Sequence, residues 1–510
     1  MNRISGAILF LVAAGSYGAP AAGHGDPVML TDWTHDVSPP LREMAAQATG
    51  TLPIGTKVVA APNVTGPVLG INFPGIAADV DPGATPPPDT NGAAGATQYV
   101  QWVNTVIAVF DKATGAVLLG PAPGNVLWTN FGGPCQNHNS GQPIAQYDKG
   151  AGRWVLAQPV LVTPYTYCIA ISKTSDATGP YFRFAFPLAV PAGTTPDSPR
   201  LAVWPDAYYT SFNLLQSGSA TGALAIAFDR VRMLNGSARS PVAFTLGPSN
   251  TYMLPSDWDG AVSPGAGEPD FYMRVGSPSS LQLFKFHVDF NTPENSTFST
   301  QPKVVPITPP PTEIQPDLCT HKPGHCHAVR QPPPGLRLDG LPNALLYRLI
   351  WRKIRQKEHL FANQSVFGSQ TVASVNWYDI RSPNGAATLA QQGAVGSPSF
   401  SYWMGSIASD KNGNLALGFS ASGTTLFPSI AVTGRLNTDA AGTMAPVQII
   451  VPGTDVQTAS GAWGEYSSMS IDPTDDCTFW YTTEFIQDPP AGSTPNWSTW
   501  IASLRFPSCH

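Results

Sequence analysis

The chain has 510 residues, of which 42% are hydrophobic and only 12% charged, with a formal net charge of −6. So acidic a balance excludes the basic face that a nucleic-acid partner requires. No stretch approaches the ~20 apolar residues of a membrane-spanning helix.

Residues 1–22 read as a signal peptide. Arg3 is the positive end, Ile8 to Ala14 is the apolar run, and Ala19-Pro20-Ala21 or Ser16-Tyr17-Gly18 offers the cleavage site. The expectation is an exported protein, extracellular or periplasmic. Residues 23–80 are expected to form an N-terminal arm that lends an outer strand to close a ring. Residues 81–510 are expected to be all-β: a seven-bladed β-propeller of four-stranded antiparallel blades. The 48 glycines and 52 prolines stand between short apolar runs, as many-turned β proteins require.

A weak internal repeat carries that expectation. Pro143 to Gln158, Ser406 to Ser420 and Ser468 to Glu484 each show a short strand, an Asp, a polar turn and a second strand. Leu201 to Asn213 is a shortened copy. Asp148, Asp410 and Asp472 are turn-makers, whose carboxylates accept backbone N–H groups. Segments begin near Asp89, Gln142, Pro199, Thr251, Pro342, Trp403 and Gly464. Period-two alternation in Tyr99 to Asp111, Ala223 to Leu234 and Leu281 to Phe290 predicts half-buried strands. Residues 302–335 read as a Pro-rich insertion loop. After it, residues 344–367 read as a hairpin turning at Gln356-Lys357-Glu358.

Six cysteines in an exported chain imply three disulfides, for which 15 pairings exist. The pairs Cys135–Cys168, Cys319–Cys326 and Cys477–Cys509 keep each bridge within one blade or loop. Cys319, His321, His325, Cys326 and His327 also resemble zinc ligands, but their spacing fits no standard finger, and a disulfide is preferred. No metal site and no cofactor are expected. Asp410-Lys-Asn-Gly-Asn resembles a calcium loop without its later bidentate acid, which leaves a structural calcium as the one ion to consider. Serine-hydrolase elbow, zinc-protease helix, Walker loop and dinucleotide fingerprint are all absent.

The motifs PPPDTNGAAG, AQYDKGAGRWVLAQ, VWPDAYYTSFN, WMGSIASDKNGNLALGFS and WGEYSSMSIDPTDDCTFWYTTEF resemble a largely uncharacterised family of secreted bacterial β-propeller proteins. The resemblance runs from Pro86 to Cys509 and implies a sialidase-like propeller architecture, although the Ser-x-Asp-x-Gly-x-Thr-Trp box is missing. Gln142 and Asn343 stand where the family pattern has Asp.

Propellers bind ligands at the mouth of the central channel, where loops precede each inner strand. Asp89 and Glu465 are the candidate catalytic pair, brought together when the ring closes. Glycosidic cleavage needs one protonated and one ionised carboxyl, ~5 Å apart for retention or ~6.5–9.5 Å for inversion. Asn91, Gln142, Arg200, Asp257, Asp259, Trp403 and Tyr466 are the candidate substrate-binding residues. The partner expected is an extracellular polysaccharide or cell-surface glycan, met by a monomer. A glycoside hydrolase or polysaccharide lyase is the first reading, and a non-catalytic binding or adhesion propeller is the alternative.

Overall fold

The computed structural model describes residues 25–45, 66–308, 326–342, 344–367, 372–488 and 496–510. It is a β-propeller of largely antiparallel sheets, several of them four-stranded. The innermost strands are Asn91–Ala94, Ile144–Asp148, Thr195–Val203, Leu254–Trp258, Leu345–Ile354, Ser401–Ser409 and Ser468–Ile471. Each touches the next, and Ser468–Ile471 touches Asn91–Ala94, so they line a closed ring. Leu254–Trp258 and Leu345–Ile354 go further and pair in parallel, fusing two sheets into one.

Neighbouring inner strands elsewhere share no backbone ladder, and side chains satisfy the donors left over. Asn91 Oδ1 accepts from Ala145 N at 2.9 Å, and Asp257 Oδ1 from Val203 N at 2.9 Å. Ser406 Oγ takes Met469 N at 3.0 Å, and Ser470 Oγ takes Ala94 N at 3.2 Å. Asn91 and Asp257 are therefore stitches between sheets, which corrects their expected role as sugar contacts.

Ser280–His287 alternates in burial as expected, whereas other strands exceed the half-buried expectation. Gln98–Val103, Thr166–Ser172 and Leu415–Gly423 are buried along their whole length. Sheets arranged radially cover each other on both faces, so neither face meets water. One such interface holds Trp102, Trp128 and Trp154 together.

The N-terminal segments are added as outer strands. Thr34–Val37 pairs with Tyr181–Pro187, and Val28–Met29 with Val242–Leu246. Val68–Ala77 pairs with Trp497–Arg505, so an early strand and the last described strand share one sheet. This joins the ring through a ladder of hydrogen bonds and leaves Trp497–Arg505 no bare edge.

Asp148, Asp410 and Asp472 accept backbone N–H groups within their turns: Ala151 N at 3.0 Å, Asn412 N at 2.9 Å and Thr474 N at 2.9 Å. The hairpin over residues 345–367 turns at Arg355 and Gln356, both left-handed, which is earlier than expected. Two consecutive positive-φ residues make the turn whose twist suits two antiparallel strands. The insertion is also narrower than 302–335, because Lys303–Pro306 is an outer strand on Ser280–His287 and His327–Val329 pairs with Leu338–Asp339.

Cys135–Cys168 and Cys477–Cys509 are disulfides. Cys326 is disulfide-bonded as well, whereas Cys319, His321, His325 and Asn343 lie outside the described residues. Cys477–Cys509 ties the C-terminal residues to the sheet that holds Val68–Ala77 and Trp497–Arg505. Its loop of 32 residues leads us to expect a loss of about 4 kcal/mol in Cys477→Ser/Cys509→Ser, measured by urea unfolding.

Candidate functional site

A non-glycine residue with left-handed backbone stands shortly before or within the first half of every inner strand: Asp89, Gln142, Ser198, Tyr252, Leu341, Met404 and Glu465, with φ between 42 and 58°. Glycine would adopt this conformation without strain, whereas each of these costs about 1–2 kcal/mol. Positions that keep a side chain at such a cost are places where the side chain has a use. Leu341 and Met404 use theirs in the core. Asp89, Gln142, Tyr252 and Glu465 turn theirs into one cavity of about 230 Å³, whose wall also includes Asn104, Ser140 and Asp197.

Three carboxyl groups thus share a half-enclosed space. Asp89 is 7% exposed, and its Oδ1 has no hydrogen-bond partner among the described residues. Burial, then the charges of Glu465 and Asp197, push its pKa well above the ordinary carboxylate range, against a hydrogen bond from the Gln142 backbone that lowers it. Asp89 therefore keeps its proton at a pH where an ordinary carboxyl has lost it. Glu484 lies behind, fully buried, with its pKa also raised by burial. It accepts the Gly464 N–H and so holds the two-residue left-handed turn, Gly464-Glu465, that presents the Glu465 carboxylate.

Gln142 and Asp197 are tied to each other. Gln142 Nε2 donates to Asp197 Oδ1 at 2.7 Å, and Gln142 Oε1 accepts from Ser198 N at 2.9 Å. Ser198 Oγ donates to Asp197 Oδ2 at 3.1 Å. Tyr252 closes one side, its hydroxyl pushed up to about 12 by burial, so it stays neutral.

The other predicted residues sit elsewhere. Tyr466 lies beneath the cavity, donating to Pro199 O at 2.7 Å and packing against Tyr347. Arg200 is beside Tyr466 and Tyr252, 5% exposed, with Nη1 on Ser198 O at 2.5 Å. Trp403 is buried in the core against Trp463 and is not on this cavity's wall, which corrects its expected stacking role. Asp257 and Asp259 stand at the far end of Leu254–Trp258, bound to Arg348, and do not belong to the mouth. Asp197 and Glu484 were not expected here. The one signal for Asp197 is the Pro196-Asp-Ser-Pro199 run, which interrupts the inner strand Thr195–Val203.

Asp89→Asn tests the burial of this acid through stability. A carboxyl whose folded pKa exceeds its unfolded one favours folding at low pH. That contribution is lost as pH rises through the folded value. Asn carries no such loss and tolerates positive φ. The variant is therefore expected to gain urea resistance over the wild type at pH 8 and little at pH 4.

No family model and no curated protein matches the chain. Among solved structures it is similar to an α-L-arabinofuranosidase from Fusarium graminearum, at 12% identity and TM-score 0.39, over 72% of this chain and 93% of that one. It is also similar to the subtype N10 neuraminidase-like protein of A/little yellow-shouldered bat/Guatemala/060/2010, at 9% identity and TM-score 0.35, over 69% and 95%. A third is an α-L-arabinofuranosidase from Lactobacillus brevis, at 12% identity and TM-score 0.31, over 71% and 89%.

Proposed function

We propose that the chain is an exported, monomeric, seven-bladed propeller that hydrolyses glycosidic bonds at the mouth of its channel. The observation that carries this reading is Asp89: a buried carboxyl with a raised pKa and an unpartnered oxygen, facing two further carboxylates across one cavity. The closed cycle of seven inner strands supports the blade count.

In this reading Asp89 is the general acid. It gives its proton to the glycosidic oxygen as the bond to the anomeric carbon breaks. Glu465 is the ionised partner: in a single displacement it takes the proton of the water whose oxygen joins that carbon, and in a double displacement it bonds to that carbon and is released when water attacks, with Asp89, by then ionised, taking the water's proton. Hydrolysis fits better than elimination. A lyase must neutralise a uronate carboxylate before removing the neighbouring proton, and among the described residues no lysine, arginine or histidine lines the cavity.

The test is digestion of a broad polysaccharide panel by the purified protein and by Glu465→Gln, read as new reducing ends and by mass. Product from the wild type alone supports the assignment. Product from both keeps the enzyme and removes Glu465 from its mechanism. No product from either transfers the reading to a binding propeller.

A further inference from the structure

At the end of the channel away from the mouth, the inner strand Leu254–Trp258 runs into a loop of residues 259–268. Its first residue, Asp259, is bound to Arg348 and Lys149. Gly260 lies so close to Arg352 that a Cβ there would stand 3.0 Å from the guanidinium carbon. Val262 O accepts the indole N–H of Trp258 at 2.9 Å. The tip is exposed from Ala261 to Ser263 and from Gly265 to Gly267. Gly260 and Gly267, with φ of 87 and 75°, put a left-handed glycine at each end of it. Such residues absorb the backbone rotation of a swinging loop. Glu268 closes the loop and is 9% exposed. Its Oε2 accepts Gly265 N at 2.9 Å, and no N–H or O–H among the described residues reaches its buried Oε1. What Glu268 does meet is a second carboxyl: Glu358, on Lys357–Phe367, is in side-chain hydrogen-bond contact with it. Two carboxyl groups hydrogen-bond to each other only when one keeps its proton.

We propose that Glu268 and Glu358 form a proton-dependent latch. With one proton between them the loop is held to the hairpin; with both ionised it is released, uncovering Arg352 and Trp258 at the far end of the channel. Burial, then the charge of Glu268, raises the pKa of Glu358. The latched state is therefore favoured at low pH, and that contribution is lost as pH rises through the raised value. Lys353, opposite Glu358 across the hairpin, and Lys285 are the cations facing Glu358. Among the described residues neither forms an ion pair with it, and Lys285 is held by Asn384. Behind Glu268, whose carbonyl accepts the Trp204 indole N–H at 3.0 Å, lie Asp206 and Asp270. They face Tyr209 and Ser256 instead, and His287 faces Asp206. Burial pushes Asp206 up to about 6 and raises Asp270 as well, so these two acids are the rivals for any pH response here. The latch is separate from the cavity at the mouth and stands whether or not the chain is a hydrolase.

The experiment is hydrogen–deuterium exchange of the full chain at pH 4.5 and pH 8, with labelling times corrected for the intrinsic rate of amide exchange and peptides over 259–268 read by mass. The loop is expected to exchange roughly threefold to tenfold faster at pH 8 after that correction, a modest factor because Glu358 is partly exposed. Glu358→Gln gives Glu268 a permanent N–H donor, so its loop should stay slow at both pH values. Glu268→Gln offers the donor from the other side and serves if the first variant does not fold. Equal corrected exchange at both pH values in the wild type overturns the proposal. So does a pH dependence that survives in a folded variant, which would belong to Asp206 or Asp270. So does an acceleration of the same size in the inner strands, which would be loosening of the whole molecule rather than release of one loop.

Discussion

Glu465→Gln is expected to lower turnover of a cleavable glycan by roughly 10²–10⁴-fold, the range for removing one acid–base partner, with little change in KM. Asp89→Asn should match it on natural substrates. The two variants separate on aryl glycosides whose leaving group needs no proton. There Asp89→Asn should recover most of its rate, because general acid help is no longer required, while Glu465→Gln should stay slow. Neither change disturbs the backbone: Asn is at ease at positive φ, and Gln142 already occupies the same left-handed conformation as Glu465. The pH profile carries a second signature. Burial and the neighbouring carboxylates raise the pKa of Asp89, so kcat should persist above the ordinary carboxylate range and fall as pH rises through the shifted value. That alkaline limb should be missing from the residual activity of Asp89→Asn. A limb that survives the substitution would belong to another group, and Asp89 would lose its role as the acid.

How far these residues can be read from the sequence depends on local chemistry. The Asp-turn repeat marks where sheets begin, because a carboxylate capping a turn leaves a pattern of Asp, polar residues and glycine. The starts read from it, Asp89, Gln142 and Gly464 among them, lie at or beside the left-handed entries to inner strands. What the sequence hides are the bulges. Register shifts fall between Asp197 and Arg200 and between Trp403 and Ser406. One irregular residue flips the facing of its neighbours, so Trp403 points into the core although its strand opens at the mouth, and Asp197 reaches the cavity wall. Asn91 and Asp257 mislead for another reason. Their residue types suit sugar contacts, but the unladdered inner strands need acceptors first. Glu484 is legible only once Gly464 is known to turn its N–H inward.

Arg348→Met is expected to cost about 3–5 kcal/mol of stability, the range for removing one member of a buried ion pair. Arg348 is 2% exposed and serves three acceptors: Nε on Asp257 Oδ2 at 2.5 Å, Nη2 on Asp259 Oδ1 at 2.9 Å and Nη1 on Met469 O at 2.7 Å. Asp257 also receives Gln146 Nε2 and Val203 N, and Asp259 receives Lys149. Four sheets thus meet around one guanidinium. Lys at this position restores the charge but not the planar fork, so Arg348→Lys should recover only part of the loss. Arg348→Met combined with Asp257→Asn and Asp259→Asn should recover more, because the penalty is the stranded charge rather than the missing bonds. Urea unfolding of the set, at constant slope, reads all of this. Tyr347 and Tyr466 stand between this network and the cavity, Tyr347 donating to Leu201 O and Tyr466 to Pro199 O. Each folded molecule of Arg348→Met should therefore keep its site and its ligand affinity. A loss of affinity larger than the loss of folded protein would mean that the charges in the channel reach the mouth through the tyrosine layer.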